Sequence, residues 1–323
     1  MNSSPFLSQH PGRDDIISAH ERVGFYAHRT PLLSSTYLNS ILECNLFLKC
    51  ENFQKAGAFK FRGASNVVMG LSENFLNNGV ATHSSGNHAG ALALAAKLRG
   101  TRAYIVMPET APKIKVKAVQ AYGAEIIFCK PNQKAREDTL NDIVNKTGAL
   151  FIHPYDNYSI IAGQATAAKE ILEEKSDLDF IFTPVGGGGL ASGTCLSANY
   201  FSKRTKVIGC EPAGADDAFH SLKDGKIYPS LNPKTIADGL LTSLSPKTFE
   251  ILSELLERVI TVSEEEIIYI MRLIWERMKI IIEPSSAVPV AALYKERQFF
   301  KGKNVAVIIS GGNVDLDNLP WNS

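Results

Sequence analysis

Excess charge of either sign is missing. Thirty-four Lys and Arg face 33 Asp and Glu among 323 residues, a formal net charge of +1. Nothing in that balance steers the chain to nucleic acid or to an anionic membrane. No uninterrupted apolar run approaches the roughly 20 residues that a membrane helix needs. Cysteine is scarce: five, at 44, 50, 129, 195 and 210, with no CxxC pair. That odd, scattered set suits small buried hydrophobes in a reducing compartment and argues against a disulfide framework or a zinc cluster. The seven histidines show no HExxH spacing. GxxxxGK[ST] is absent, which argues against a P-loop nucleotide site. No repeat of fixed period and no low-complexity segment occurs. Met1 to Asp15 is polar and lacks the apolar stretch of a secretory signal, so a cytoplasmic location is expected.

Core-forming residues are plentiful. Hydrophobic residues make up 45% of the chain, enough for a sizeable interior, and the length suggests about two domains. Short apolar segments alternate with helical ones. Strands are expected at 46–50, 79–83, 103–107, 125–129, 151–153, 179–184, 206–210 and 304–310. Helices are expected at 16–26, 58–68, 87–99, 112–122, 136–147, 163–173, 190–200, 264–279 and 285–295. Such alternation argues for parallel sheets covered on both faces. The expected fold is α/β with two open three-layer domains. The smaller, residues 79–153, is inserted in a larger one built from 1–78 and 154–323. A closed eight-stranded barrel is the rival; four glycines in succession after one strand favour an open-sheet crevice.

Five segments at strand ends could carry chemistry. Gly186-Gly187-Gly188-Gly189-Leu190 follows an apolar strand and opens a helix. Its successive N–H groups and the helix N-terminus suit a phosphate, although a tight turn would also use glycine. A dinucleotide GxGxxG fails there, because its last glycine falls on Ser192. Lys60 stands between Phe59 and Phe61. Apolar company lowers a lysine pKa and makes the amine a usable nucleophile and base; a lysine snorkelling from a helix is the plain alternative. Arg62 could be solvated or ion-paired. His83-Ser84-Ser85-Gly86-Asn87-His88 opens an alanine-rich helix, as an anion nest or an ordinary N-cap. Ser310-Gly311-Gly312-Asn313 ends a strand, where a serine can bond a ring nitrogen. Glu211-Pro212-Ala213-Gly214-Ala215-Asp216-Asp217 puts three carboxylates in a loop. That suits a hard cation, or is a solvated acidic loop.

Together these segments resemble the fold type II pyridoxal-phosphate enzymes, in the branch of threonine/serine dehydratases and serine racemase. The match covers Glu51 to Gly63, Ser84 to His88, Gly186 to Leu190, Thr235-Ile236-Ala237-Asp238-Gly239 and Ser310 to Asn313, and runs from about Ser18 to the C-terminus. The resemblance implies pyridoxal 5'-phosphate held covalently by Lys60, with Phe59 beside its ring. It implies a phosphate held by Gly186, Gly187, Gly188, Gly189 and the amide of Leu190. Asn87 would bond the ring hydroxyl, and Ser310 would face the pyridine nitrogen. Ser84, Ser85, Asn87 and His88 would grip the substrate carboxylate. Ser85 would be a second acid/base on the ring face opposite Lys60. Glu211, the Ala215 carbonyl and Asp217 match the family's divalent-cation site, for Mg²⁺, Ca²⁺ or Mn²⁺. A homodimer is implied too.

The implied reaction is β-elimination from L-threonine or L-serine, giving 2-oxobutyrate or pyruvate plus ammonia. Serine racemase, 3-hydroxyaspartate ammonia-lyase and a non-catalytic ligand-binding protein are the alternatives. Departures from relatives are visible. The C-terminal regulatory domain of biosynthetic threonine dehydratases is not in this sequence. Ala89-Gly90 stands where the mammalian racemase has a glycine and a glutamine of its nucleotide-effector site, which puts activation by ATP in doubt. Pro154-Tyr155-Asp156 resembles dehydratases and microbial hydroxyaspartate enzymes more than the mammalian racemase. A second substrate carboxylate would need a donor. Arg136 and His153 are available, but read more simply as a surface arginine and a packed histidine.

Overall fold

The computed structural model describes residues 4–111 and 113–321. Among the described residues ten strands form two separate sheets: β1 (Leu32–Leu33), β2 (Asn45–Cys50), β3 (Val80–His83), β4 (Ala103–Pro108), β5 (Glu125–Cys129), β6 (Leu150–Phe151), β7 (Phe180–Pro184), β8 (Lys206–Pro212), β9 (Arg258–Val262) and β10 (Asn304–Ile309). One sheet has six strands in the order β1-β2-β10-β7-β8-β9. The other has four, in the order β5-β4-β3-β6. Both are open, so the barrel is excluded. Every pairing is parallel except that of β1 with β2.

Parallel strands covered on both faces need apolar residues in succession. β10 shows why. Val305, Val307 and Ile309 pack among the buried faces of helices Glu264–Met278 and Pro284–Lys295. Ala306 and Ile308 face the other way, onto Ala168, Ile171 and Leu172 of helix Tyr158–Glu174. Helix Glu264–Met278 buries Ile267, Ile270, Met271 and Ile274, and a capping box of Ser263 and Glu266 fixes its start.

Element ends moved where caps were overlooked. Asn157 accepts from the Ser159 and Ile160 amides, so the helix expected from 163 begins at Tyr158. β6 ends at Phe151, leaving His153 in the following loop. β9 and helix Pro246–Leu255 were not expected. The strand is a half-covered sheet edge, and the helix starts from a Ser245–Thr248 capping box around a proline. The expected start at Pro112 lies outside the described residues; that helix is described over Lys113–Ala121.

A charged cluster lies inside this apolar frame. Arg62, fully buried, donates to both oxygens of Glu51 at 2.7 and 2.8 Å and to both of Glu170 at 2.7 and 2.8 Å. Lys49 donates to Glu170 at 2.6 Å and to the Thr30 carbonyl at 2.7 Å. Burial alone would lift the Glu170 carboxyl, but Arg62 and Lys49 outweigh it and hold the group below the usual range. Removing one member leaves the others charged and unpaired in the interior. We expect Arg62→Met to cost about 3–5 kcal/mol of unfolding free energy in urea titrations. A loss below about 1 kcal/mol would show the cluster to be dispensable.

Candidate active site

A cavity of about 720 Å³ lies where β3, β7 and β10 end. Lys60, Ser84, Ser85, Asn87, Gly186 to Leu190 and Ser310 all line it. Lys60 is the first residue of helix Lys60–Gly70. The preceding turn is tied to the end of β10: the Phe59 amide donates to the Ser310 carbonyl at 2.9 Å, and Ala58 bridges Gly311. The Lys60 ammonium donates to the Pro154 carbonyl at 3.2 Å and sits 5.1 Å from the Phe59 ring centroid. Burial lowers Lys60 to about 8 against the opposing pull of Glu283. That is the apolar setting which the two flanking phenylalanines suggested.

The glycine run leaves β7 and enters helix Gly189–Phe201. Among the described residues, no other group takes the amides of Gly186 to Leu190. They are free for an anion at a helix start. Two of the glycines are sterically required. Gly188 has φ +84°, and a Cβ on Gly187 would lie 2.4 Å from the Tyr155 ring.

The Ser84–His88 segment enters helix Asn87–Arg99. Asn87 donates its amide nitrogen to both oxygens of Glu283, at 2.9 and 3.1 Å, and its oxygen accepts from Asn313 at 2.9 Å. The Ser84 hydroxyl accepts from the Gly86 amide at 3.3 Å. Among the described residues Ser85 has no side-chain partner, so its hydroxyl is free in the cavity. The His88 ring points elsewhere. It is buried, its Nε2 meets the Ile152 carbonyl at 3.2 Å, and its Nδ1 has no partner. Burial, then Lys60, holds it down near 3. Its main-chain N–H, in the first turn of the helix, has no partner among the described residues. Ser310 lies 3.0 Å from the Ser286 hydroxyl, which also holds both main-chain groups of Gly311.

The model for the pyridoxal-phosphate dependent enzymes matches residues 24–311. This chain belongs to that family, in its fold type II. The β-hydroxyaspartate dehydratase of Paracoccus denitrificans is 48% identical over 97% of this chain and 99% of its own. The serine racemase of Dictyostelium discoideum is 48% identical over 94% of this chain and 95% of its own. The solved structure of maize serine racemase superposes with a TM-score of 0.94 at 41% identity, covering 97% of each chain. The chain is therefore a pyridoxal-phosphate-dependent enzyme of the dehydratase and racemase group. No helix among the described residues is long and apolar enough to cross a membrane.

Two readings from sequence change. Arg136 is more than a surface arginine: it is half-buried and lines the cavity, its Nε is buried without a partner, and it makes no ion pair among the described residues. The acidic segment is not all loop. β8 runs to Pro212, and Asp217 opens helix Asp217–Asp224. Glu211 accepts from the Ala218 and Phe219 amides at 3.0 and 2.7 Å. Among the described residues no group of three or more His, Cys, Asp or Glu could hold a metal ion. Yet burial, then Asp217, pushes Glu211 well up, and burial lifts Asp217 while the Ser230 hydroxyl opposes it. Both Asp217 oxygens are buried without a close partner. The Asp217 oxygens are thus the feature here that a cation could meet, while those of Glu211 are already taken by main-chain amides.

Glu283 was missed. Its only sequence signal is a lone carboxylate after Ile280-Ile281-Ile282. Burial, then Asp238, lifts its carboxyl to about 7, against the Asn87 hydrogen bond. An acid raised in the folded state costs stability as pH climbs from its unfolded value, about 4.5, to its folded value, and the cost is constant above. Glu283→Gln cannot ionise. In cofactor-free protein its stability relative to the parent should rise by up to about 3 kcal/mol between pH 4.5 and 7. Melting curves at pH 5 and 8 test this; a difference that does not change with pH counts against ionisation of Glu283.

Proposed function

We propose that the chain is an ammonia-lyase for 3-hydroxyaspartate, rather than one tuned to L-threonine or L-serine. One observation carries this: Arg136, a cation with no carboxylate partner among the described residues, borders the cavity that holds Lys60. It lies in the first turn of helix Gln133–Thr147, so the positive helix end adds to its field. A guanidinium left unpaired in a pocket calls for an anion, and the β-carbon of serine or threonine bears none. The likeness to the Paracoccus dehydratase points the same way.

Lys60 would hold the cofactor, the amides of Gly186 to Leu190 its phosphate, Phe59 one side of its ring, Asn87 its hydroxyl and Ser310 its nitrogen. Bound there, pyridoxal phosphate supplies an electron sink for the charge left at the substrate's α-carbon. Ser84, Ser85, Asn87 and the His88 amide hold the α-carboxylate. The Lys60 amine, with its lowered pKa, takes the α-proton at neutral pH. The β-hydroxyl departs as water. The resulting enamine tautomerises to an imine, and water converts that to oxaloacetate and ammonia. The smaller unit is assigned to residues 79–153, a cytoplasmic homodimer is the assembly we expect, and Glu211, the Ala215 carbonyl and Asp217 would hold Mg²⁺, Ca²⁺ or Mn²⁺.

Serine racemase is the second reading. The free Ser85 hydroxyl favours it, because racemisation needs a proton donor opposite Lys60.

We expect kcat/KM to favour 3-hydroxyaspartate over serine and threonine, and Arg136→Leu to lower that value about 100-fold while changing serine turnover only a few-fold. Equal losses on all three substrates, or a parent enzyme preferring serine, would reject the assignment. Chiral chromatography of L-serine incubations decides the racemase reading. Borohydride reduction and peptide mapping should place the cofactor on Lys60. Chelation by EDTA should lower the melting temperature and added Mg²⁺ should restore it; an unchanged, metal-free protein would leave Glu211 and Asp217 as ordinary acids.

A further inference from the structure

His153 stands just beyond β6 and before Pro154, in the wall of the cavity. Its Nδ1 receives two main-chain N–H groups, from Asp156 at 2.8 Å and from Tyr155 at 3.3 Å. A ring nitrogen that accepts cannot carry a proton, so the hydrogen of the neutral ring is on Nε2. Among the described residues Nε2 has no partner. The ring is held by its neighbours: Tyr155 edge-on at 4.7 Å, Phe151 at 5.7 Å and His83 at 6.4 Å between centroids. Thus a fixed, unspent N–H donor lines the same cavity as the unpaired Arg136.

We propose that His153 is a specificity residue that donates Nε2–H to the second carboxylate of a dicarboxylic substrate, in the same cavity that Arg136 lines. This deepens the reading of the site as one for 3-hydroxyaspartate and rests on it. The donor is steady with pH. Burial holds His153 down near 4; of the charged groups facing it, Asp156 pulls upward, and His83, Lys60 and Lys247 push further down. Asp156 is itself paired with Lys247 at 3.1 Å. The ring therefore stays neutral, with one donor, through the range in which an ordinary histidine titrates. The two donors differ in kind. Arg136 attracts any anion, whereas a single N–H in a fixed ring selects its direction.

Two measurements on the holoenzyme test this. Long-range ¹H–¹⁵N correlation of ¹⁵N-histidine-labelled protein should show His153 as the Nε2–H tautomer from about pH 6 to 8. An Nδ1–H tautomer or an imidazolium at pH 7 would overturn the proposal. Calorimetric titration should then compare succinate, a non-reacting dicarboxylate, with propionate. His153→Phe should weaken succinate about tenfold and leave propionate within about twofold, with His153→Gln, which keeps an N–H, in between. Equal effects on the two acids, no effect on succinate, or no preference of the parent for succinate would overturn it. If the parent fails to turn over 3-hydroxyaspartate while succinate still depends on His153, the activity assignment falls and the His153 contact stands. If 3-hydroxyaspartate is turned over and succinate binding ignores His153, the reverse holds.

Discussion

The position of Lys60 depends on an ion cluster that never meets the substrate. Arg62, two residues further along the same helix, is clamped by four hydrogen bonds between Glu51 and Glu170. Glu51 follows β2, and Glu170 belongs to helix Tyr158–Glu174. The cluster therefore joins a strand, the lysine-bearing helix and a covering helix at one buried point. Hydrophobic residues of similar volume could fill that space with equal or greater stability. They would not set direction. Bidentate pairs fix the rotation of the helix about its axis, and with it the side from which Lys60 leaves.

A second constraint acts from the other end of the turn. The Phe59 amide is tied to the Ser310 carbonyl, and Ser310 ends β10. Lys60 and Ser310, 250 positions apart in sequence, are thus held by main-chain bonds rather than by flexible side chains. The glycine run is the third part of this frame, and Tyr155 presses on it so closely that no side chain fits at Gly187. Catalytic geometry of this kind is set by strand ends, which move little, and not by the loops between them.

Much of this was legible before any coordinates. Alternating strands and helices need two covered sheets, and each glycine-rich or serine-rich segment fell at a strand end because parallel strands all point their C-terminal ends one way. What stayed hidden was of two kinds. Glu283 is a single charged residue, and a lone charge carries no spacing to read; Arg136 was visible as a possible donor, but nothing in the sequence set it apart from a surface arginine. Only the fold shows that one is buried against Asn87 and the other lines a cavity. β9 and helix Pro246–Leu255 were hidden because their signals were local caps and an edge strand with one covered face. The His88 ring misled for a different reason. Its place in the Ser84–His88 segment suggested a substrate contact, but the first turn of a helix offers its amide to the cavity while the side chain follows the helix face inward.

The two walls of the cavity divide the work. The glycine run, Lys60 and Ser310 belong to the six-stranded side and present groups suited to a cofactor. The four-stranded side presents Ser84, Ser85, Arg136 and His153, groups suited to the oxygens of a substrate. Arg136 and His153 are half-buried in this wall, and the Arg136 Nε, buried without a partner, is costly to leave so. A substrate that brings a second carboxylate repays that loss. One that brings only a hydroxyl or a methyl leaves a guanidinium with nothing to neutralise it. Discrimination by such unmet polar groups exceeds what the fit of one methyl in an apolar pocket can supply. Selectivity for a dicarboxylic substrate can thus arise in the smaller sheet while the cofactor-binding side remains common to elimination and racemisation.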